Sequence, residues 1–349
     1  MRTYELALIG FGNVGQALAE LLLEKQAELE SNYQIRFKVV TIATGSHGSA
    51  LSSDGIDLSR ALALAAEGQS LAELDLDGAP EGALEMIQRC GADVLFENTP
   101  VDYRSGQPAL RHLQAGLEAG MHVITANKGP VVHGYKGLRH LADQVGRRFL
   151  FESTVMDGAP IFSLWREALP GANLQSVRGV LNSTTNLVLG LMESGQTLDQ
   201  AVAHAQTIGI AETDPSGDLE GWDAAIKLAA VATVLMDSPL TPAEVDRTGI
   251  SQLTPAAIRE AMEEGHRWKL VCTAIRGEQG VEATVKPEKL GAEDPLYAVS
   301  GTSSAITFHS DVLGPLTITE EDPGPHTTAY GLLADFINAT TSQESPSSI

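Results

Sequence analysis

The chain of 349 residues is 43% hydrophobic and 19% charged, with a formal net charge of −22. That is the composition of a globular protein with room for two domains and a sizeable core. Its acidity excludes nucleic acid and anionic membrane surfaces as partners, although helix N-termini and single lysines still admit an anionic cofactor. Two cysteines predict a reducing, cytoplasmic setting with no disulfide framework. The apolar stretch 228–236 is too short to span a membrane, and Met1-Arg2-Thr3 leads directly into a strand rather than a signal peptide.

The first third alternates strand and helix patterns. Residues 4–9 read as a strand, 14–30 as a helix with Leu18, Leu21, Leu22 and Leu29 at helical spacing, and 37–43 as a second strand. A helix over 81–89, a strand over 93–97, a helix over 110–119 and a strand over 122–125 follow. Helix 136–145 and strand 148–152 close the series. This βαβ rhythm predicts an α/β fold with a doubly wound parallel sheet over 1–150 and ligands at the carboxyl ends of its strands. Beyond 151 the rhythm changes. Helices over 160–168, 186–193, 197–208 and 219–236 alternate with short strands such as 176–181 and 283–286, which predicts a second, α+β domain over 151–325. After the loop 320–325, a helix over about 326–338 is expected to return to the first domain. The Ser/Thr-rich segment 339–349 is expected to be disordered.

Gly10-Phe11-Gly12-Asn13-Val14-Gly15 fits G-x-G-x-x-G between the first strand and its helix, the Rossmann arrangement for a dinucleotide pyrophosphate. The second strand ends in Ala43 and Thr44 without the carboxylate that would favour NAD, and no arginine follows to favour NADP. Both cofactors are therefore expected, with NADP slightly preferred. The third and fourth strands end in Glu97-Asn98-Thr99-Pro100 and Thr125-Ala126-Asn127-Lys128-Gly129-Pro130. A lysine at the end of a buried strand is costly unless it meets an anion or a substrate oxygen, so Lys128 is a candidate active-site residue. Asp223 and Lys227 lie four apart on an otherwise apolar helix. An i,i+4 surface pair and a buried catalytic pair both fit that spacing.

The segments 125–130, 152–161, 178–186 and 211–227, in this order and spacing, resemble the motif series of the homoserine dehydrogenases, in the short form without an appended ACT domain. The resemblance runs from the N-terminus to about residue 335. It implies NAD(P)-dependent interconversion of L-homoserine and L-aspartate 4-semialdehyde by a homodimer built through the second domain. It further implies that Glu212 and Asp218 hold the substrate ammonium, with Ser183 and Thr184 on the backbone-rich loop 182–186 near the substrate. Asp223 would orient the substrate and its water, and Lys227 would be the acid/base, with Lys128 beside the substrate and nicotinamide. Two lysines converging on one site would depress each other's pKa. Thr99, Pro100, Gly209 and Gly324 would border the cofactor. The main-chain carbonyls of Glu152, Val155, Asp157 and Ala159 match a segment that binds a monovalent cation such as sodium, although a plain structural turn fits those residues equally well. Ser183 stands where the family carries glycine, and a positive φ there would strain the loop. A dehydrogenase for a related amino or hydroxy acid and a non-catalytic NAD(P)-binding protein remain the alternative readings.

Overall fold

The computed structural model describes residues 1–341. They form two compact units, one of residues 1–160 with the segment from Gly324 on, the other of residues 161–323.

In the first unit β1 (Arg2–Ile9) runs into α1 (Asn13–Tyr33), followed by β2 (Ile35–Ala43), β3 (Ser49–Leu51), α2 (Leu58–Ala66), α3 (Ala83–Arg89), β4 (Val94–Glu97), α4 (Ala109–Glu118), β5 (His122–Thr125), α5 (Lys128–Val145) and β6 (Phe149–Leu150). The sheet order is β3-β2-β1-β4-β5-β6. All pairings are parallel except the short β2–β3 hairpin, a local exception to the purely parallel expectation. The order reverses direction between β1 and β4, which is where a doubly wound sheet opens its ligand crevice. The register aligns Ile9 with Ala43 and with Glu97, and Glu97 with Thr125. Four strands therefore end in one row, and the loops leaving that row begin at Gly10, Thr44, Asn98 and Ala126.

The C-terminal helix Pro325–Thr341 belongs to this unit and packs along α1. Phe336 is fully buried and meets the rings of Tyr4 and Phe96 edge-on, at 5.9 and 6.0 Å between centroids. The expected disordered segment does not begin at residue 339. Ala339 and Thr340 are buried helix residues, because this face of the helix closes the sheet, and 342–349 lie outside the described residues.

The second unit holds β7 (Leu174–Val180), α6 (Ser183–Glu193), α7 (Leu198–Thr207), α8 (Ser216–Leu219), α9 (Trp222–Leu235), β8 (Asp246–Arg247), α10 (Pro255–Glu263), β9 (Arg267–Gly277), β10 (Gly280–Leu290), β11 (Ser304–Ser310) and β12 (Leu316–Glu320). Its sheet, ordered β12-β11-β7-β9-β10-β8, is antiparallel apart from the β8–β10 pair. Helices α6 and α9 pack on β9.

Two sequence expectations change here. The helix expected at 136–145 begins at Lys128, because Asn127 caps it by accepting from Gly129 N at 3.0 Å. Lys128 is thus the first residue of a helix rather than the end of a strand. The helix expected over 219–236 is broken at Gly221, whose φ of 80° turns the chain between α8 and α9. Among the described residues no helix is long and apolar enough to cross a membrane.

Candidate active site

In the first unit the glycine loop has the shape of a phosphate cradle. Gly10, at φ 93°, lies so close to the β4 loop that a Cβ there would sit 2.5 Å from the Asn98 carbonyl. A Cβ at Gly15 would overlap the Gly10 carbonyl oxygen, whereas one at Gly12 would meet nothing within 4 Å. The loop is thus packed on one side and open over Gly12. Gly12 is the N-cap of α1 and has no side chain to cap the first turn, so the helix presents its amides and dipole to a phosphate. Phe11 is buried and its carbonyl accepts from Gln16 Nε2 at 3.0 Å, while Asn13 is exposed and Val14 packs partly on the core. Gly10 N donates to the Ala43 carbonyl at 2.9 Å, tying the loop to the end of β2. Thr44 closes the next turn, its hydroxyl donating to the Gly48 carbonyl at 2.9 Å and accepting from His47 N at 2.7 Å.

The β4 and β5 loops complete this half. Asn127 Nδ2 donates to the Thr99 carbonyl at 2.9 Å and to that of Pro100 at 3.4 Å, locking the two loops together. Both polar atoms of the Asn98 side-chain amide are buried without a hydrogen-bond partner. Such groups are costly to leave unmade, and the backbone of the same residue lies against the glycine loop, so a nucleotide bound there is the partner that would satisfy them. The residues present therefore fit a dinucleotide. Lys128, half-buried at the head of α5, carries a positive charge where the helix dipole disfavours one, an arrangement that an anionic ligand or substrate oxygen offsets. Gly324 caps the C-terminal helix, its N–H donating to the Thr327 hydroxyl at 2.8 Å.

The cation candidate segment is a tight turn. Glu152 is buried and its N–H donates to Asp335 at 2.8 Å; Asp157 has φ 37° and accepts from the Thr327 hydroxyl at 3.1 Å. Within the turn the Phe151 carbonyl takes the Thr154 N–H and hydroxyl, and the Met156 carbonyl takes Ala159 N at 2.8 Å. Among the described residues no cluster of His, Cys, Asp and Glu could hold a metal ion.

In the second unit α9 is buried almost all round, with Ala224, Ala225, Ile226 and Leu228 fully inaccessible. The surface-pair reading of Asp223 and Lys227 therefore fails. Lys227 Nζ donates to the Leu181 carbonyl at 2.7 Å and pairs with Asp223 Oδ2 at 3.2 Å. Asn182 organises the cluster. Its Nδ2 donates to Asp218 Oδ1 at 2.7 Å and to Asp223 Oδ2 at 3.1 Å, while its Oδ1 caps α6 by accepting from Thr185 N at 2.8 Å. Burial, and then the charge of Asp223, hold the Asp218 carboxyl above the usual carboxylate range. Thr184 donates to the Ile210 carbonyl at 3.3 Å, just before Glu212, whose exposed side chain leaves the loop after α7. Gly209, at φ 77°, turns that loop. Ser183 is the first helical residue of α6 and does not belong to the positive-φ residues, so the serine is unstrained.

Asp218, Asp223 and Lys227 are thus brought together, and the residue that joins them, Asn182, was expected near the substrate only as part of the backbone-rich loop 182–186. Its capping role is readable from Asn-Ser-Thr-Thr, but its bonds to two aspartates on α8 and α9 depend on the tertiary fold. Asn98 and Asn127 went unnoticed for the same reason.

A nucleotide-binding α/β unit, carried in one chain with a buried carboxylate–lysine cluster, defines the class of NAD(P)-dependent dehydrogenases. Family models for homoserine dehydrogenase match residues 160–337, and for its NAD-binding domain residues 10–152. The chain is 37% identical to the NAD(+)-dependent homoserine dehydrogenase of Pseudomonas canavaninivorans, covering 99% of each sequence, and 35% identical to the homoserine dehydrogenase of Methanocaldococcus jannaschii, covering 96% of this chain and 98% of that one. A hyperthermophilic archaeal homoserine dehydrogenase solved in complex with NADPH superposes with a TM-score of 0.81 at 30% identity, covering 97% of this chain and 98% of that one. The chain belongs to the homoserine dehydrogenase family.

The glycine loop gives a direct test. Gly12→Ala should leave the melting temperature unchanged, because its Cβ meets open space, yet weaken NAD(P)H binding at least about tenfold by crowding the phosphate. Gly15→Ala should instead lower stability by roughly 1–3 kcal/mol through overpacking. Thermal melts and fluorescence titrations of the two variants check this, and identical behaviour would contradict the assignment of Gly12 to the cradle.

Proposed function

We propose that the protein catalyses the NAD(P)-dependent interconversion of L-homoserine and L-aspartate 4-semialdehyde. The observation that carries this reading is the buried cluster in which Asn182 holds Asp218 and Asp223 beside Lys227. A zwitterionic amino alcohol needs carboxylates for its ammonium and a proton acceptor at its hydroxyl. Asp218, with Glu212 on the neighbouring loop, serves the ammonium. Asp223 orients the substrate, and its ion pair fixes the Lys227 rotamer so that Nζ stays within the cluster. Ser183 and Thr184, at the start of α6, line the substrate side.

When bound, the nicotinamide accepts or supplies the hydride. In reduction the Lys227 ammonium gives a proton to the carbonyl oxygen; in oxidation Nζ first releases a proton to solvent and then takes the hydroxyl proton, so one side chain serves both directions. Lys128 supports the developing charge on the substrate oxygen. The glycine loop, Ala43, Thr44, Thr99, Pro100, Gly209 and Gly324 hold the cofactor, and Asn98 joins them. The unpaired amide of Asn98 and the open face of Gly12 support that reading.

Three finer features accompany it. The β2 loop carries neither a carboxylate nor an arginine, so both cofactors serve, with NADP preferred; kcat/KM for each measures this, and a strong NAD preference would contradict it. The carbonyls of Glu152, Val155, Asp157 and Ala159 hold a monovalent cation, which added Na+ should reveal as a raised melting temperature. The protein is a cytoplasmic homodimer. Its unpaired cysteines fit a reducing compartment, and β12, at one end of the second sheet, offers an edge to a second copy. A monomer in sedimentation would refute the dimer.

The decisive test of function is NAD(P)H formation with L-homoserine by the wild type and by Lys227→Ala. The variant should lose about 10²–10⁴-fold in kcat. Equal rates would remove Lys227 from the mechanism, and no rate in the wild type would remove homoserine.

A further inference from the structure

Glu97, the last residue of β4, is fully buried and lies outside the set assigned to the reaction so far. Its Oε1 accepts the Thr99 N–H at 3.3 Å and also the Thr99 hydroxyl. The same carboxylate lies 3.3 Å from His112 Nδ1, on α4, and 3.4 Å from the Thr125 hydroxyl at the end of β5. It is thus the point where β4, β5, α4 and the β4 loop meet. From the other side Asn127 holds the Thr99 carbonyl at 2.9 Å. The glycine loop lies against the same stretch, since a Cβ at Gly10 would fall 2.8 Å from Thr99 N. Thr99 is therefore fixed at both of its backbone polar groups, directly beside the pyrophosphate turn.

The hydroxyl of Thr99 is fixed as well, and in one polarity. A hydroxyl has a single proton to give. Because Oε1 already accepts the Thr99 N–H, it acts as an acceptor, and the hydroxyl spends its proton on it. What the Thr99 hydroxyl has left is then lone pairs only. In a doubly wound sheet the adenosine half of a dinucleotide lies over β2, and the other half crosses the switch point to lie over β4 and β5. We propose that Glu97 is a positioning residue that sets Thr99 as a hydrogen-bond acceptor for a donor on the nicotinamide riboside half of the cofactor. The proposal rests on the dinucleotide reading above and adds to it a residue that acts through Thr99 without touching the ligand.

The test uses the full chain and measures dissociation constants by fluorescence titration for NADH, NADPH and ADP, the last of which lacks the nicotinamide riboside. Glu97→Met, which keeps the side-chain volume but removes the acceptor, should weaken NADH and NADPH about tenfold while leaving ADP within about twofold. Thr99→Val, which keeps Glu97 in place, should give the same split, and Thr99→Ser should restore binding. A merely structural role for Glu97 would weaken all three ligands equally, and that outcome, or unchanged NAD(P)H binding in Thr99→Val, would overturn the proposal. If Glu97→Met does not fold, the two Thr99 variants decide alone. A wild-type protein that binds neither NADH nor NADPH would instead refute the dinucleotide reading itself.

Discussion

The chemistry of the second unit depends on one side-chain amide. Two neighbouring aspartates, Asp223 buried and Asp218 half-buried, repel each other, and burial adds its own cost to each. Asn182 meets both with a single NH2 group, at 2.7 Å to Asp218 and 3.1 Å to Asp223, and Lys227 adds a positive charge 3.2 Å from the latter. The amide is itself immobilised because its oxygen caps α6, taking the N–H and the hydroxyl of Thr185 at 2.8 Å each. The direction of α6, the break at Gly221 and the placement of α9 therefore converge on the same few ångströms. An exposed helix could carry Asp223 and Lys227 at the same spacing without any of this. Here the apolar residues between and around them are fully buried, so the pair is held in a site rather than left on a surface.

In the first unit the equivalent constraint is the common row in which β1, β2, β4 and β5 end. Parallel strands with aligned carboxyl ends place successive loops side by side, and close backbone packing at Gly10 then presses the phosphate turn onto the β4 loop. Asn127 links that loop to the start of α5, where Lys128 stands. Cofactor loop and lysine are thus set by a short chain of hydrogen bonds rather than by separate devices.

Much of this was legible in the sequence. The glycine hexapeptide, the βαβ rhythm and the four-residue spacing of Asp223 and Lys227 are local signals, and each corresponds to an element of the structure. Boundaries were less legible where a cap or a glycine decides them. Asn127 starts α5 eight residues ahead of the expected 136, and Gly221 divides what periodicity alone reads as one helix. The strands β11 and β12 of the second sheet were not anticipated, because β11 joins the sheet through β7, far away in sequence, and both short, mixed patterns carry little periodicity. The residues whose side-chain roles the sequence does not show, Asn98, Asn127 and Asn182, are all asparagines. That residue type reads as turn or cap in any sequence, and only the fold shows what its second polar atom meets.

The central claim is that Asn182 assembles the substrate-binding carboxylates, and steady-state kinetics of Asn182→Ala address it most directly. Losing the cap costs about 1 kcal/mol, which a chain of this size tolerates. The account predicts that KM for L-homoserine rises at least about tenfold as the aspartates lose their shared donor, while KM for NAD(P) stays unchanged. A variant whose homoserine KM matches the wild type, or whose cofactor KM rises equally, would contradict it.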